Sequence, residues 1–110
     1  METLDAFRAR RERLNDAVLR EGGLEIKRFF ALDHDVYEDG ALPRKAKELI
    51  GLAASTVLRC NDCISYHVGE ALERGATKEE IVEALTIALV VGGSITIPHL
   101  RHAIGLLEDV

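Results

Sequence analysis

No stretch restricts the fold more than Gly75-Ala76-Thr77-Lys78-Glu79-Glu80. Gly75 suits the left-handed position that closes a helix, and Thr77 with Glu80 three residues on forms a capping box that opens another. One helix therefore ends and the next begins within a few residues. Apolar spacing is helical on both sides, with Ile64, Ala71 and Leu72 before the break and Ile81, Ala84, Leu85, Ala88 and Leu89 after it.

The pattern extends along the chain. A first helix is expected from Thr3 to about Glu21, with Leu4, Phe7, Leu14, Ala17 and Val18 on one side and Gly22-Gly23 as its stop. A second, from Leu24 to Tyr37, offers Ile26, Phe29, Phe30 and Val36, and its aromatics read as packing rather than chemistry. These two helices are expected as an outer layer. Pro43 fits the first position of a third helix, where its missing N–H costs nothing. Ala46, Leu49, Ile50, Ala53, Ala54 and Val57 give that helix a broad apolar stripe, so burial on most sides is expected. After a turn near Arg59, a fourth helix is expected from Cys60 to Arg74, with Cys60, Cys63 and His67 on its buried face. The fifth helix stops at Gly92-Gly93, and its Ile87, Val90 and Val91 add apolar surface on further sides, which predicts cover by another copy of the chain. Ser94 or Thr96 is the expected cap of a last helix with Pro98 in its first turn, running to about Glu108. Ile95-Thr96-Ile97 has no partner strand, so the expectation is an all-α bundle of about six helices, a single domain over 1–110 that forms a homo-oligomer.

Apolar residues make up 47% of the chain against 30% charged, which places it among globular proteins. Its net charge is −5 and the Lys and Arg residues are scattered among acids, which argues against nucleic acid as a partner. The first residues lack the apolar core of a secretory signal, and the longest greasy run, Ala84 to Ile97, is short of the ~20 residues that cross a bilayer. A cytoplasmic protein without a membrane partner is expected. In that reducing compartment a lone CxxC is not a structural staple, which leaves catalysis, redox sensing or metal binding.

Cys60, Cys63 and His67 lie at i, i+3 and i+7, one stripe of a helix. The first turn of a helix presents free N–H groups and the positive end of its dipole, which favours thiolate over thiol, and Cys60 is expected there. His67, one turn beyond Cys63, is placed to take its proton. Two-electron thiol redox is the chemistry this suggests. Three other readings compete: cysteines as small buried hydrophobes, a zinc site from Cys60, Cys63, His67 and Glu48, and an assembly subunit whose thiols are incidental. Structural zinc sites usually draw on two separated ligand pairs, which counts against zinc. Glu48, taken alone, is a first-turn residue that favours the helix dipole. His99 and His102 read as surface or hydrogen-bonded residues, His34 as solvated, and Tyr66 as packing or rim. No flavin or nicotinamide fingerprint occurs, so no cofactor is expected.

The combination of Glu48, the CxxCxxxH of Cys60, Cys63 and His67, the run Ala71-Leu72-Glu73-Arg74-Gly75-Ala76-Thr77-Lys78-Glu79-Glu80-Ile81 and Gly92-Gly93 resembles the carboxymuconolactone decarboxylase family. Within it, the alkylhydroperoxidase D branch is the nearer likeness, over roughly the second half of the chain. The resemblance implies an all-helical homo-oligomer, a trimer or hexamer, and a Glu-Cys-Cys-His site that cycles between dithiol and disulfide while reducing peroxides. It implies that Glu48 and His67 relay a proton from Cys63, that Cys63 attacks and that Cys60 closes the disulfide. The dipole argument favours Cys60 as the more acidic thiol, so the order of attack stays open. Electrons would come from another thiol protein or a lipoyl-type carrier. Asp62 departs from the pattern, since the peroxidase members carry a histidine just before the second cysteine, and an anion there opposes thiolate formation. Ring decarboxylation is a remote alternative, because the lactone decarboxylases of the family lack the CxxC pair.

Overall fold

The computed structural model describes residues 1–108 and 110. It contains α1 (Leu4–Glu21), α2 (Leu24–Val36), α3 (Arg44–Val57), α4 (Asn61–Glu73), α5 (Lys78–Gly92), a 3-10 turn (Ser94–Thr96) and α6 (Ile97–Leu107). Among the described residues there is no strand, and the all-α expectation with six helices holds.

The capping signals act where the sequence put them. Thr3 accepts from the Ala6 amide at 3.2 Å, and Thr77 and Glu80 close their box reciprocally at 3.1 and 2.9 Å. Gly75 stands at φ +86°, with Ala76 donating to the Ala71 carbonyl and Gly75 to that of Leu72, the two bonds of a Schellman turn. Boundaries shift by one residue elsewhere. Pro43 and Cys60 precede their helices as N-caps instead of opening them. Neither Ser94 nor Thr96 caps α6 with its side chain. Thr96 Oγ1 donates back to Gly93 instead, within the 3-10 turn that leads into the helix.

The core gathers Leu52 from α3, Ile64, Val68 and Ala71 from α4, Ile81, Ala84 and Leu85 from α5, and Ala103, Leu106 and Leu107 from α6, with Leu4 closing one end. α3 packs on both α4 and α5, and α6 covers the far side of α4. α1 lies on α4, anchored by buried Leu4 and Phe7.

Three expectations are corrected. α3 does not bury its broad apolar stripe: the inward face carries Glu48, Gly51, Leu52, Ser55 and Thr56, while Ile50 is 55% exposed. Periodicity locates the greasy face of a helix without saying what covers it, and here the buried polar groups are satisfied, as when Thr56 Oγ1 donates to the Leu52 carbonyl at 2.8 Å. The outward stripe, Ile50, Ala53, Ala54 and Val57, joins Ile87 and Val91 of α5 along an open apolar groove. α2 has no buried residue among those described, so Phe29 is 66% exposed and Phe30 is only half-buried. Their apolar side finds no cover within this chain. Finally, the cysteine stripe of α4 is not wholly buried. His67 is enclosed, Cys60 is half-buried and Cys63 is exposed, so burial deepens along α4 from its first turn to its second.

Candidate active site

The site begins at the corner between α3 and α4. Arg59 adopts φ +61°, the left-handed region. Cys60 donates its amide to the Ser55 carbonyl at 3.1 Å and Arg59 to that of Thr56 at 3.0 Å, so α3 also ends in a Schellman turn. That turn delivers Cys60 as the N-cap of α4, where its Sγ accepts from the Cys63 amide at 3.2 Å. The cap position faces the free N–H groups of the first turn, which stabilise negative charge on sulfur. Cys60 and Cys63 are joined in a disulfide.

One turn further on, His67 enters a polar cluster set under the helix. Glu48 is fully buried and its Oε1 accepts from His67 Nδ1 at 2.8 Å. Because a carboxylate can only accept, Nδ1 carries the proton of the neutral ring, and the lone pair falls on Nε2. Nε2 lies 3.5 Å from the Tyr37 hydroxyl. The other oxygen of Glu48 accepts from Arg44 Nε at 3.2 Å, and Arg44 Nη2 reaches Glu70 at 2.9 Å. Burial alone would lower the Arg44 pKa, yet the hydrogen bond and charge of Glu48, with Glu70, raise it above the usual arginine value, so the cluster keeps its cation. Burial and the Glu48 carboxylate hold Tyr37 above the ordinary phenol range. Gly51 makes this packing feasible: a Cβ there would sit 2.6 Å from His67 Cε1 and 2.8 Å from the Tyr37 hydroxyl.

A cleft of about 320 Å³ opens over the helix start, bounded by Cys63, Tyr66 and His67 of α4 and by Phe7, Arg10 and Arg11 of α1. Tyr66 forms its rim, as expected, edge-on to His67 at 5.1 Å and beneath the Arg11 guanidinium at 4.1 Å. Asp62 is held by Arg10 Nη2 at 2.9 Å, and the same guanidinium holds Glu2 at 2.9 and 3.1 Å. These contacts raise the Arg10 pKa above its usual value.

Glu48 and His67 are thus in contact, Cys63 and His67 share a cleft, and Cys60 is bonded to Cys63. Among the described residues no three of His, Cys, Asp and Glu converge in a metal-holding arrangement. His99 Nδ1 bonds Asn61 Oδ1 at 2.7 Å, His102 Nε2 bonds Ser65 Oγ at 2.7 Å, and His34 is exposed beside Asp35 and Glu38. Sequence reasoning missed Arg44, Tyr37, Gly51 and Arg10. Only Arg44 left a signal, four residues before Glu48 on one helical face.

A fold of this kind with this arrangement defines a family: the carboxymuconolactone decarboxylase family profile matches residues 25–109, and the chain belongs to that family. The match reaches the start of α2, further than the second half of the chain on which the sequence resemblance rested. Among its relatives, an uncharacterised protein of the cox locus of Paracoccus denitrificans is 37% identical over 82 residues, 74% of each chain. A Thermotoga maritima protein of the same family, described as a candidate for the antioxidative response, has a crystal structure that superposes with a TM-score of 0.89 at 59% identity, over 94% of this chain and 87% of that one. Alkyl hydroperoxide reductase AhpD of Corynebacterium kroppenstedtii is 41% identical over 46 residues, 42% of this chain and 26% of that protein. The chain therefore matches about a quarter of the AhpD length. No helix among the described residues is long and apolar enough to cross a membrane.

Proposed function

We propose that the chain is a thiol-dependent peroxidase or disulfide reductase working through Cys60 and Cys63, with Glu48 and His67 as its proton relay. The observation that carries this reading is the Cys60–Cys63 disulfide at the mouth of a cleft whose floor includes His67, backed by buried Glu48. In the reduced protein the Nε2 lone pair of His67 takes the Cys63 proton, and Glu48 stabilises the imidazolium that results. The Cys63 thiolate attacks the terminal oxygen of a hydroperoxide. The O–O bond breaks, the leaving alkoxide takes the proton from His67, and Cys63 becomes a sulfenic acid. Cys60 then attacks the Cys63 sulfur, releasing water and closing the disulfide. Two electrons and two protons from a thiol protein or lipoyl-type reductant restore the dithiol. Cys63, and not Cys60, lines the cleft, which favours Cys63 as the attacking sulfur. A disulfide substrate would enter by the same thiolate.

The open apolar groove between α3 and α5 supports assembly into a homo-oligomer, and the family likeness implies a trimer or hexamer working in a thiol-reducing cytoplasm. The test of the chemistry is a thiol titration before and after stoichiometric peroxide on wild type, Cys60→Ser and Cys63→Ser. Wild type should lose both thiols, Cys60→Ser should stop at the sulfenic acid, and Cys63→Ser should react poorly. Two unchanged thiols in wild type would sink the peroxidase reading.

A further inference from the structure

One ion network lies beside the dithiol and has no part in the relay. Asp62 sits between the two cysteines in sequence and beside Cys63 in the cleft, where its negative charge opposes a second one on sulfur. Arg10 reaches it from α1 with Nη2 at 2.9 Å and Nη1 at 3.4 Å, a paired fork, while Nε and Nη2 hold Glu2. The guanidinium also lies over the Phe7 ring at 5.4 Å, so its position is fixed by three neighbours. Of the other cations nearby, Arg11 is committed to the Tyr66 ring and Arg44 to Glu48 and Glu70, while Arg59, next to Cys60 at the corner, is exposed to solvent.

We propose that Arg10 is a positioning residue for the dithiol: its guanidinium, clamped on Asp62, cancels the field that Asp62 would set against the Cys63 thiolate and holds Asp62 away from the sulfur. This rests on the reading that Cys60 and Cys63 are the reacting pair. α1 thereby supplies an electrostatic element that α4, with Asp62 in its first turn, lacks. The remaining charged and titratable groups around the thiols are Arg59 beside Cys60, Arg11 of α1, Asp33 of α2, and Tyr66 and His67 of α4. Glu48 of α3 contacts His67, and His99 and His102 of α6 bond Asn61 and Ser65, with His102 also within reach of the charges of Asp62 and Glu2. Of all these, Arg10 alone bonds the residue next to Cys63.

The test uses the reduced full-length chain and reads thiolate by its ultraviolet absorbance as a function of pH. Arg10→Gln should lower the thiolate fraction below the thiol pKa about three- to tenfold, Asp62→Asn should raise it by a similar factor, and the double variant should return close to wild type. Arg10→Lys, which keeps the charge, should retain most of the wild-type fraction. An unchanged titration in Arg10→Gln, or Arg10→Lys as impaired as Arg10→Gln, overturns the proposal. If Arg10→Gln does not fold, the double variant is compared with Asp62→Asn, less thiolate in the double variant supporting the proposal and equal thiolate overturning it. No arm uses peroxide, so a chain inert to peroxides with Arg10-dependent thiols refutes the peroxidase reading and leaves this one standing. The reverse result does the opposite.

Discussion

Two charged networks flank the start of α4, and they differ in depth. Beneath it, Arg44, Glu48 and His67 form a chain in which Glu48 is wholly buried. Above it, Glu2, Arg10 and Asp62 form a chain in which the Asp62 side chain is 66% exposed. Water screens the upper set, so its bonds add little to folding. The lower set has no water to fall back on, and loss of one partner strands another. Similar ion pairs thus lie buried beneath the helix in one place and open to water in the other.

Glu48→Ala should give the largest effect, a loss of about 3 kcal/mol in urea denaturation at fixed protein concentration, because Arg44 and His67 Nδ1 lose a buried acceptor. Next, Gly51→Ala drives a methyl into the imidazole and should cost about 1–3 kcal/mol by overpacking. It should also slow peroxide-driven thiol loss, and a variant matching wild type in both would separate His67 from the reaction. pH tests the boundary between the networks. Burial, foremost, holds the His102 pKa below its ordinary 6.5, with the carbonyl of Asn61 working the other way and His99 adding to the lowering. Its contribution to stability is therefore fully present above 6.5 and drains away as pH falls from 6.5 toward the lower folded value, since the unfolded chain takes the proton first. His102→Gln should flatten that part of the stability–pH curve. Arg59→Gly, at the corner joining both sides, should stabilise by about 0.5–1 kcal/mol by relieving a left-handed arginine. Smallest of all, Asp62→Asn should leave the denaturation midpoint within scatter while moving the thiol titration. A midpoint shift as large as that of Glu48→Ala would erase the distinction between the networks.

The sequence made part of this legible. Helical spacing put Cys63 and His67 on one stripe, and the capping box at Thr77 and Glu80 marked the start of α5 to the residue. That Glu48 meets His67 could be expected from family likeness alone, since spacing within α3 gave no indication that a carboxylate would turn inward while Ile50 turned outward. The outward face of α3 and the bare apolar side of α2 were unreadable because periodicity reports a greasy side and not its cover. Arg10 and Asp62 lie 52 residues apart, and an exposed pair at that separation leaves no periodic trace.

Cys60 holds two posts, closing the turn after α3 and capping α4 through its sulfur. Removing its side chain therefore loosens a joint as well as deleting a reagent. Serine, a stronger helix cap than cysteine, keeps an acceptor at that joint, whereas alanine removes it. Between those two replacements lies a way to separate the architecture of the corner from the chemistry performed on it.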